Sequence, residues 1–362
     1  MPSPVLHSRP WLTAEDREAL VSAMQTRMVA QGERTRGFER SLAAWVGAAD
    51  GVAVGSGTAA LDLALEALDV TDGDHVVLPS YVCGSVMGAV VARGAVPVLC
   101  DVGREWVVTP DEVAARLGPR TRAIVVPHMY GIFADVAAFR RFGVPVVEDC
   151  AQAIGAPGAR PISGDVAIFS FHPTKCLTTG EGGMALSNRP RLVERMRELR
   201  DGSDRGVRGR RFSPMSDLQG ALGQSQLTRY ERGLARRRQI ADRYRSLLAS
   251  LAPDSLPESI FAKTMFFRFP IRLSGGTEVH APGFAERGVI VRKGVDRLLH
   301  RILGLADADF PVSVSLFETT VSLPIYPALT DAELARCLEA ARAVLGVAPS
   351  ATRGQRAPDA RC

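Results

Sequence analysis

Residues 169–184 read Phe169-Ser170-Phe171-His172-Pro173-Thr174-Lys175-Cys176-Leu177-Thr178-Thr179-Gly180-Glu181-Gly182-Gly183-Met184, and this stretch decides the fold. The mostly apolar run from Asp165 to Phe171 predicts a buried strand. Lys175 follows it directly, and a glycine-rich turn follows the lysine. A lysine at the mouth of a buried strand is partly desolvated, which lowers its pKa and makes it a nucleophilic amine. Taken alone, the same segment also fits a solvated lysine at a strand edge.

Two earlier segments shift the balance. In Val54-Gly55-Ser56-Gly57-Thr58-Ala59-Ala60-Leu61, a short apolar strand from Gly51 runs into glycines and then into a helix expected over Ala59 to Leu68. Glycines let the backbone turn sharply, and a helix N-terminus offers free N–H groups to an anion. Thr58 adds a hydroxyl. A plain strand–turn–helix connection reads the same way. The third glycine of a dinucleotide fingerprint and the Gly-Lys-Ser/Thr of a P-loop are both missing. In Val146-Val147-Glu148-Asp149-Cys150-Ala151-Gln152-Ala153, a second apolar strand ends in acid and then small residues. Strand carboxyl ends face the ligand crevice of an open α/β sheet, although a lone acid there also serves as a helix N-cap. A phosphate loop, an acid at a strand end and a lysine at a later strand end, in that order, point to pyridoxal phosphate. Asp149 would hold its ring nitrogen protonated.

The chain resembles the DegT/DnrJ/EryC1/StrS family of sugar aminotransferases over roughly residues 10 to 345. Gly57-Thr-Ala-Ala-Leu61, Glu148-Asp-Cys-Ala-Gln-Ala153 and Phe169-Ser-Phe-His-Pro-Thr-Lys175 carry the resemblance. Asp217-Leu-Gln219 and Leu323-Pro-Ile-Tyr-Pro327 add to it. It implies that Lys175 bonds pyridoxal phosphate covalently, that Asp149 faces the ring nitrogen and that Gln152 lies near the 3-hydroxyl. Gly57, Thr58, Ala59 and Ser170 would hold the phosphate. Cys83 falls where relatives stack an aromatic ring, with Tyr81 as the alternative. Relatives often place Asn-Tyr-Arg before Met-Ser-Asp-Leu-Gln; this chain has Phe212-Ser213-Pro214 before Met215, and Arg210 or Arg211 is the expected substitute for the cross-subunit asparagine. The resemblance also implies a homodimer with shared sites, an amino acid donor and a keto-sugar acceptor. Tyr81, His172, Glu181 and His300 are candidate substrate residues; His172 equally fits packing, and Glu181 a turn cap. His128 and Tyr130, at another strand end, are expected to border the cleft.

The organisation follows the same pattern. Helices are expected from Thr13 to about Met28 and near Gly37 to Trp45. Strands then alternate with helices at His75–Leu78, Val96–Asp101, Arg122–Pro127, Val144–Asp149, Val166–Phe171 and Met184–Ser187. This predicts an α/β fold of the fold-type-I aminotransferase kind, with a mostly parallel seven-stranded sheet and helices on both faces. A long helix, Asp217 to Leu251, would link it to a smaller C-terminal α+β domain. That domain has strands near Ala262–Leu273 and Gly288–Arg292 and a final helix near Asp331–Leu345. The expected division is 1–235, 236–346 and a Pro/Arg/Ala-rich tail at 347–362.

With 362 residues and 46% hydrophobic content, the chain can bury a large core. The segment Met1 to Pro10 lacks a secretory signal pattern, and no apolar run suggests a membrane span. Six cysteines without a Cys-x-x-Cys pair read as reduced cytoplasmic thiols, with no metal expected. The net charge of +5 is concentrated in Arg189–Arg211 and Arg229–Arg245. The loop 201–211 could meet an anionic substrate or merely be solvated. Nucleic-acid binding is disfavoured, because aromatics do not interleave the basic residues. Two alternatives to transamination stay open. One is an enzyme of the same fold that acts on a cyclitol or other ketone, or else a non-transaminating dehydratase; Lys175 disfavours the dehydratase branch, where histidine replaces it. The other is a cofactor-binding regulator without turnover.

Overall fold

The computed structural model describes residues 3–202 and 212–346. Arg210, Arg211, most of the basic loop and the C-terminal tail lie outside the described residues.

Seven short strands form one sheet: β1 (Asp50–Val54), β2 (His75–Pro79), β3 (Val96–Cys100), β4 (Thr121–Pro127), β5 (Val146–Asp149), β6 (Val166–Ser170) and β7 (Gly183–Ser187). Their order is β1-β7-β6-β5-β4-β2-β3. β7 runs antiparallel to both its neighbours, and every other pairing is parallel. β5, β6 and β7 are buried throughout, as apolar strands covered by helices on both faces must be. The helix Gly57–Ala67 packs its Ala60, Leu61, Leu63 and Ala64 into this core.

The antiparallel β7 decides what meets at the sheet's edge. Gly183 registers with Val54 of β1 on one side and Ser170 of β6 on the other. The carboxyl ends of β1 and β6 are therefore one strand apart. Asp149, at the end of β5, registers with Ile168 of β6. Three segments far apart in sequence converge on one rim.

A second, two-stranded antiparallel sheet joins β8 (Phe269–Arg272) and β9 (Thr320–Leu323). The helices Tyr230–Leu251 and Asp331–Leu345 pack their apolar residues with it in one core. Val5 belongs to that core, and its backbone pairs with Gly288 and Ile290. The expected strand at Gly288–Arg292 is reduced to isolated bridges, Val5 to Val289 and Arg292 to Ser322. β9 was not anticipated.

The single long helix expected over Asp217–Leu251 is two helices, Asp217–Thr228 and Tyr230–Leu251. The break falls at Arg229 (φ −110°, ψ 8°). The Thr228 hydroxyl bonds back to the Ser225 carbonyl at 2.7 Å, which competes with helix continuation. The Arg229 guanidinium turns aside to Asp16 and the Trp11 carbonyl. The first helix ends at Gln25 rather than Met28, where Arg27 takes a left-handed conformation (φ 60°). The second begins at Glu33, earlier than expected, because a remote carboxylate caps it. Asp217 accepts from the N–H groups of Gly32, Arg34 and Thr35 at 2.8, 3.2 and 2.9 Å.

Candidate active site

The phosphate-loop candidate is assembled from two strand ends. Ser56 caps the helix Gly57–Ala67, its Oγ accepting from Ala59 N at 3.1 Å. The amides of Gly57 and Thr58 find no acceptor among the described residues, and the Thr58 side chain is exposed. Gly57 lies against Ser170: a Cβ at Gly57 would come within 2.6 Å of the Ser170 Cβ and 3.0 Å of its Oγ. Only glycine allows this approach. Free amides at a positive helix end thus meet the Ser170 side chain beside Gly57, with Thr58 next along the helix, which suits a phosphate dianion.

Asp149 is 7% exposed. Its Oδ1 accepts from Ala151 N at 2.9 Å, and no ion pair engages it among the described residues. Burial pushes the carboxyl above its usual range, against the pull of the Ala151 amide, Lys175 and His128. A buried acid without a bonded cation calls for one, and a protonated pyridine nitrogen is such a partner. Gln152 is oriented by Tyr130, whose N–H donates to its Oε1 at 2.9 Å. That leaves the amide NH2 to a weak contact with the Met129 sulfur at 3.9 Å.

Lys175 sits in a turn closed by its N–H bonding to the His172 carbonyl at 2.8 Å. Burial lowers its proton affinity, while Asp149 and Cys83 pull it back up. Its Nζ lies 5.2 Å from the ring centre of Phe267. The chain has three lysines. Lys263 pairs with Glu105 and Lys293 with Glu278, whereas Lys175 has no carboxylate within ion-pair distance among the described residues. The available amine, the uncompensated acid and the free amides fit pyridoxal phosphate.

The other candidates separate. Cys83 is exposed at the start of the helix Gly84–Ala92, its Sγ 3.0 Å from Ser85 Oγ. His172 and Glu181 are exposed, 4.0 Å apart. Tyr81 and His300 are fully buried and are not brought to the open surface. The Tyr81 hydroxyl bonds that of Tyr130 at 2.8 Å. His300 stacks on Phe310 and engages Ser80 and Asp307 through its two ring nitrogens. His128, expected at the cleft border, is also buried. Its Nε2 bonds Glu148 at 3.0 Å, and its Nδ1 accepts from Ala134 N. Cys150 completes a trio of ligand-type atoms within 4.8 Å. Glu148 is already held by the Ser163 and Gly164 amides.

Two features escaped the sequence reading. One is the wall of the recess at Lys175, which includes His7, Phe267 and Arg268; an arginine inside the apolar run Phe266–Phe269 was its only local signal. The other is Gly294. A Cβ there would stand 2.0 Å from both the Tyr81 and Tyr130 hydroxyls. Gly294→Ala is expected to destabilise the protein by about 1–3 kcal/mol through overpacking. Thermal unfolding tests this: an unchanged midpoint would mean the tyrosine pair does not fill that space.

The segment expected to reach across a dimer braces its own subunit. Ser213 O accepts from Gly55 N at 2.9 Å, and Gln219 Nε2 donates to the Glu181 carbonyl at 2.7 Å.

Comparison with known proteins places these features in a family. Residues 10–342 match the model of the DegT/DnrJ/EryC1/StrS aminotransferase family. The aminotransferase TlmJ from Streptoalloteichus hindustanus is 32% identical, with a TM-score of 0.88 over 95% of this chain and 99% of its own. DesV from S. venezuelae is 30% identical, with a TM-score of 0.83 over 93% and 98%. An aminotransferase from Psychrobacter cryohalolentis is 26% identical, with a TM-score of 0.84 over 93% and 98%. The chain belongs to the DegT/DnrJ/EryC1/StrS aminotransferase family, whose chemistry runs on pyridoxal phosphate.

Proposed function

We propose that the protein transfers an amino group from an amino acid, with glutamate the expected donor, to the keto carbon of a nucleotide-linked sugar. The observation that carries this reading is the convergence of Lys175, Asp149 and the Gly57–Ser170 junction at adjacent strand ends. The family resemblance supplies the sugar.

When bound, pyridoxal phosphate supplies an electron sink for the carbon that gives up a proton. The residues of this chain do the rest. The amides of Gly57 and Thr58, with the hydroxyls of Thr58 and Ser170, bind the phosphate. Asp149 supplies the negative charge that keeps the ring nitrogen protonated. The Gln152 amide orients the 3-hydroxyl. Lys175 Nζ, its proton affinity lowered by burial, takes the proton from the donor's α-carbon and returns it within the same half-reaction. The same amine serves the acceptor in the second half-reaction, so the kinetics are ping-pong.

A homodimer with shared sites is part of the proposal, as is work in the cytoplasm. The five described cysteines are free thiols, which fits a reducing compartment. The test is spectral. Adding L-glutamate to the cofactor-loaded protein should convert its absorption to that of the amine-bearing cofactor, and a keto-sugar should restore it. Light scattering on the same sample should give twice the chain mass. A loaded protein that no amino acid converts would favour the regulator reading, and an active monomer would refute the shared site.

A further inference from the structure

The recess beside Lys175 has a cationic wall. It is lined by His7, Arg9, Lys175, Arg237, Arg268 and Tyr326, among others. One of the three guanidiniums is paired with a carboxylate, and a second is buried. Arg9 pairs with Glu333 at 2.9 Å. Arg237 is buried, and its Nη1 donates to the carbonyls of Phe266, Phe267 and Ile325.

Arg268 differs. Its Nη1 donates to the Lys293 and Gly294 carbonyls at 3.1 and 3.2 Å, which fixes the guanidinium. Its Nη2 and Nε have no acceptor among the described residues, and no carboxylate pairs with it. His7, carried past this point by the N-terminal segment, bonds Ser322 Oγ at 2.9 Å. Burial, with Arg268 and Arg292, presses the His7 pKa down to about 3, so its ring stays neutral. The N-terminal segment is tied in place by Val5, which bonds Gly288 and Ile290.

We infer that this recess is the carboxylate subsite for the amino donor, with Arg268 as its anion anchor and the N-terminal segment bearing His7 as its outer wall. The inference rests on the aminotransferase reading. An α-amino acid carries its carboxylate one bond from the carbon that Lys175 serves, so the anion site must share a recess with Lys175. Arg268 does, and its charge acts on the Lys175 amine. The diphosphate of a nucleotide-linked sugar would lie farther away, across the sugar ring. A planar guanidinium with two free donor positions also matches a carboxylate.

The test uses the full-length protein, Arg268→Leu and Arg268→Lys, with L-glutamate, succinate and UDP as probes. In Arg268→Leu the glutamate concentration giving half-maximal spectral conversion should rise about ten- to a hundredfold, as expected for losing one charge-assisted contact. The limiting rate should change much less. Arg268→Lys keeps the charge without the fork and should fall between. Calorimetric binding of succinate should weaken in the same order, with UDP binding and cofactor retention unchanged. A folded Arg268→Leu protein with native glutamate saturation overturns the inference, and so does weakened UDP binding with succinate intact. If Arg268→Leu does not fold, native saturation in Arg268→Lys overturns it equally. A native protein that reacts with no amino acid overturns the aminotransferase reading instead, and the succinate comparison still decides the subsite.

Discussion

Lys175→Ala is expected to abolish both turnover and the adduct that borohydride traps between cofactor and protein. The acid–base role alone accounts for a loss of roughly 10²–10⁴-fold, and losing the covalent attachment adds to it. The prediction is sharp because the chain has only three lysines. Lys263 and Lys293 are engaged by Glu105 and Glu278 at 3.2 and 2.8 Å. Lys175 is instead half-buried, and desolvation favours its neutral form. Lys175→Arg keeps a cation and supplies no comparable nucleophile, so it should fail in the same way. Peptide mapping after reduction checks the assignment. A label on Lys263 or Lys293 would overturn it.

The strands, their order of appearance and the three site segments were legible in the sequence because each depends on local pattern. An apolar run followed by glycine or acid marks a strand end wherever it occurs. What was not legible depends on distant partners. The second helix starts at Glu33 because Asp217, far along the chain, bonds three of its first amides. The run Asp217–Leu251 contains no proline to mark a break, yet it breaks where Arg229 is drawn to Asp16. Tyr81 and His300 read as candidate site residues from their neighbours in sequence. They are core residues because Tyr130 and Asp307 meet them in space. Arg268 was missed for the converse reason. Its significance is the lack of an acid partner among the described residues, which only a folded chain reveals.

Asp149→Asn should separate two roles that the carboxylate combines. In the cofactor-free protein, burial raises the Asp149 pKa. A carboxyl whose folded pKa exceeds its unfolded value binds its proton more tightly when folded. It therefore costs stability once pH rises through the unfolded value and towards the folded one. Removing that charge should leave the cofactor-free variant at least as stable as the native protein at neutral pH, and its stability should fall less as pH rises. With cofactor present the sign reverses. The carboxylate then has a ring cation to face, and an amide cannot keep that nitrogen protonated. Turnover should drop roughly a hundred- to a thousandfold, the scale of losing one preorganised electrostatic contact in a closed site. Cofactor affinity should fall less, because the phosphate contacts at Gly57, Thr58 and Ser170 and the bond to Lys175 remain. Thermal unfolding of both forms across pH, with turnover on the loaded enzyme, measures each effect. Near-native turnover with the cofactor bound would remove Asp149 from the chemistry. A cofactor-free variant markedly less stable than the native protein would show that the carboxylate serves packing instead.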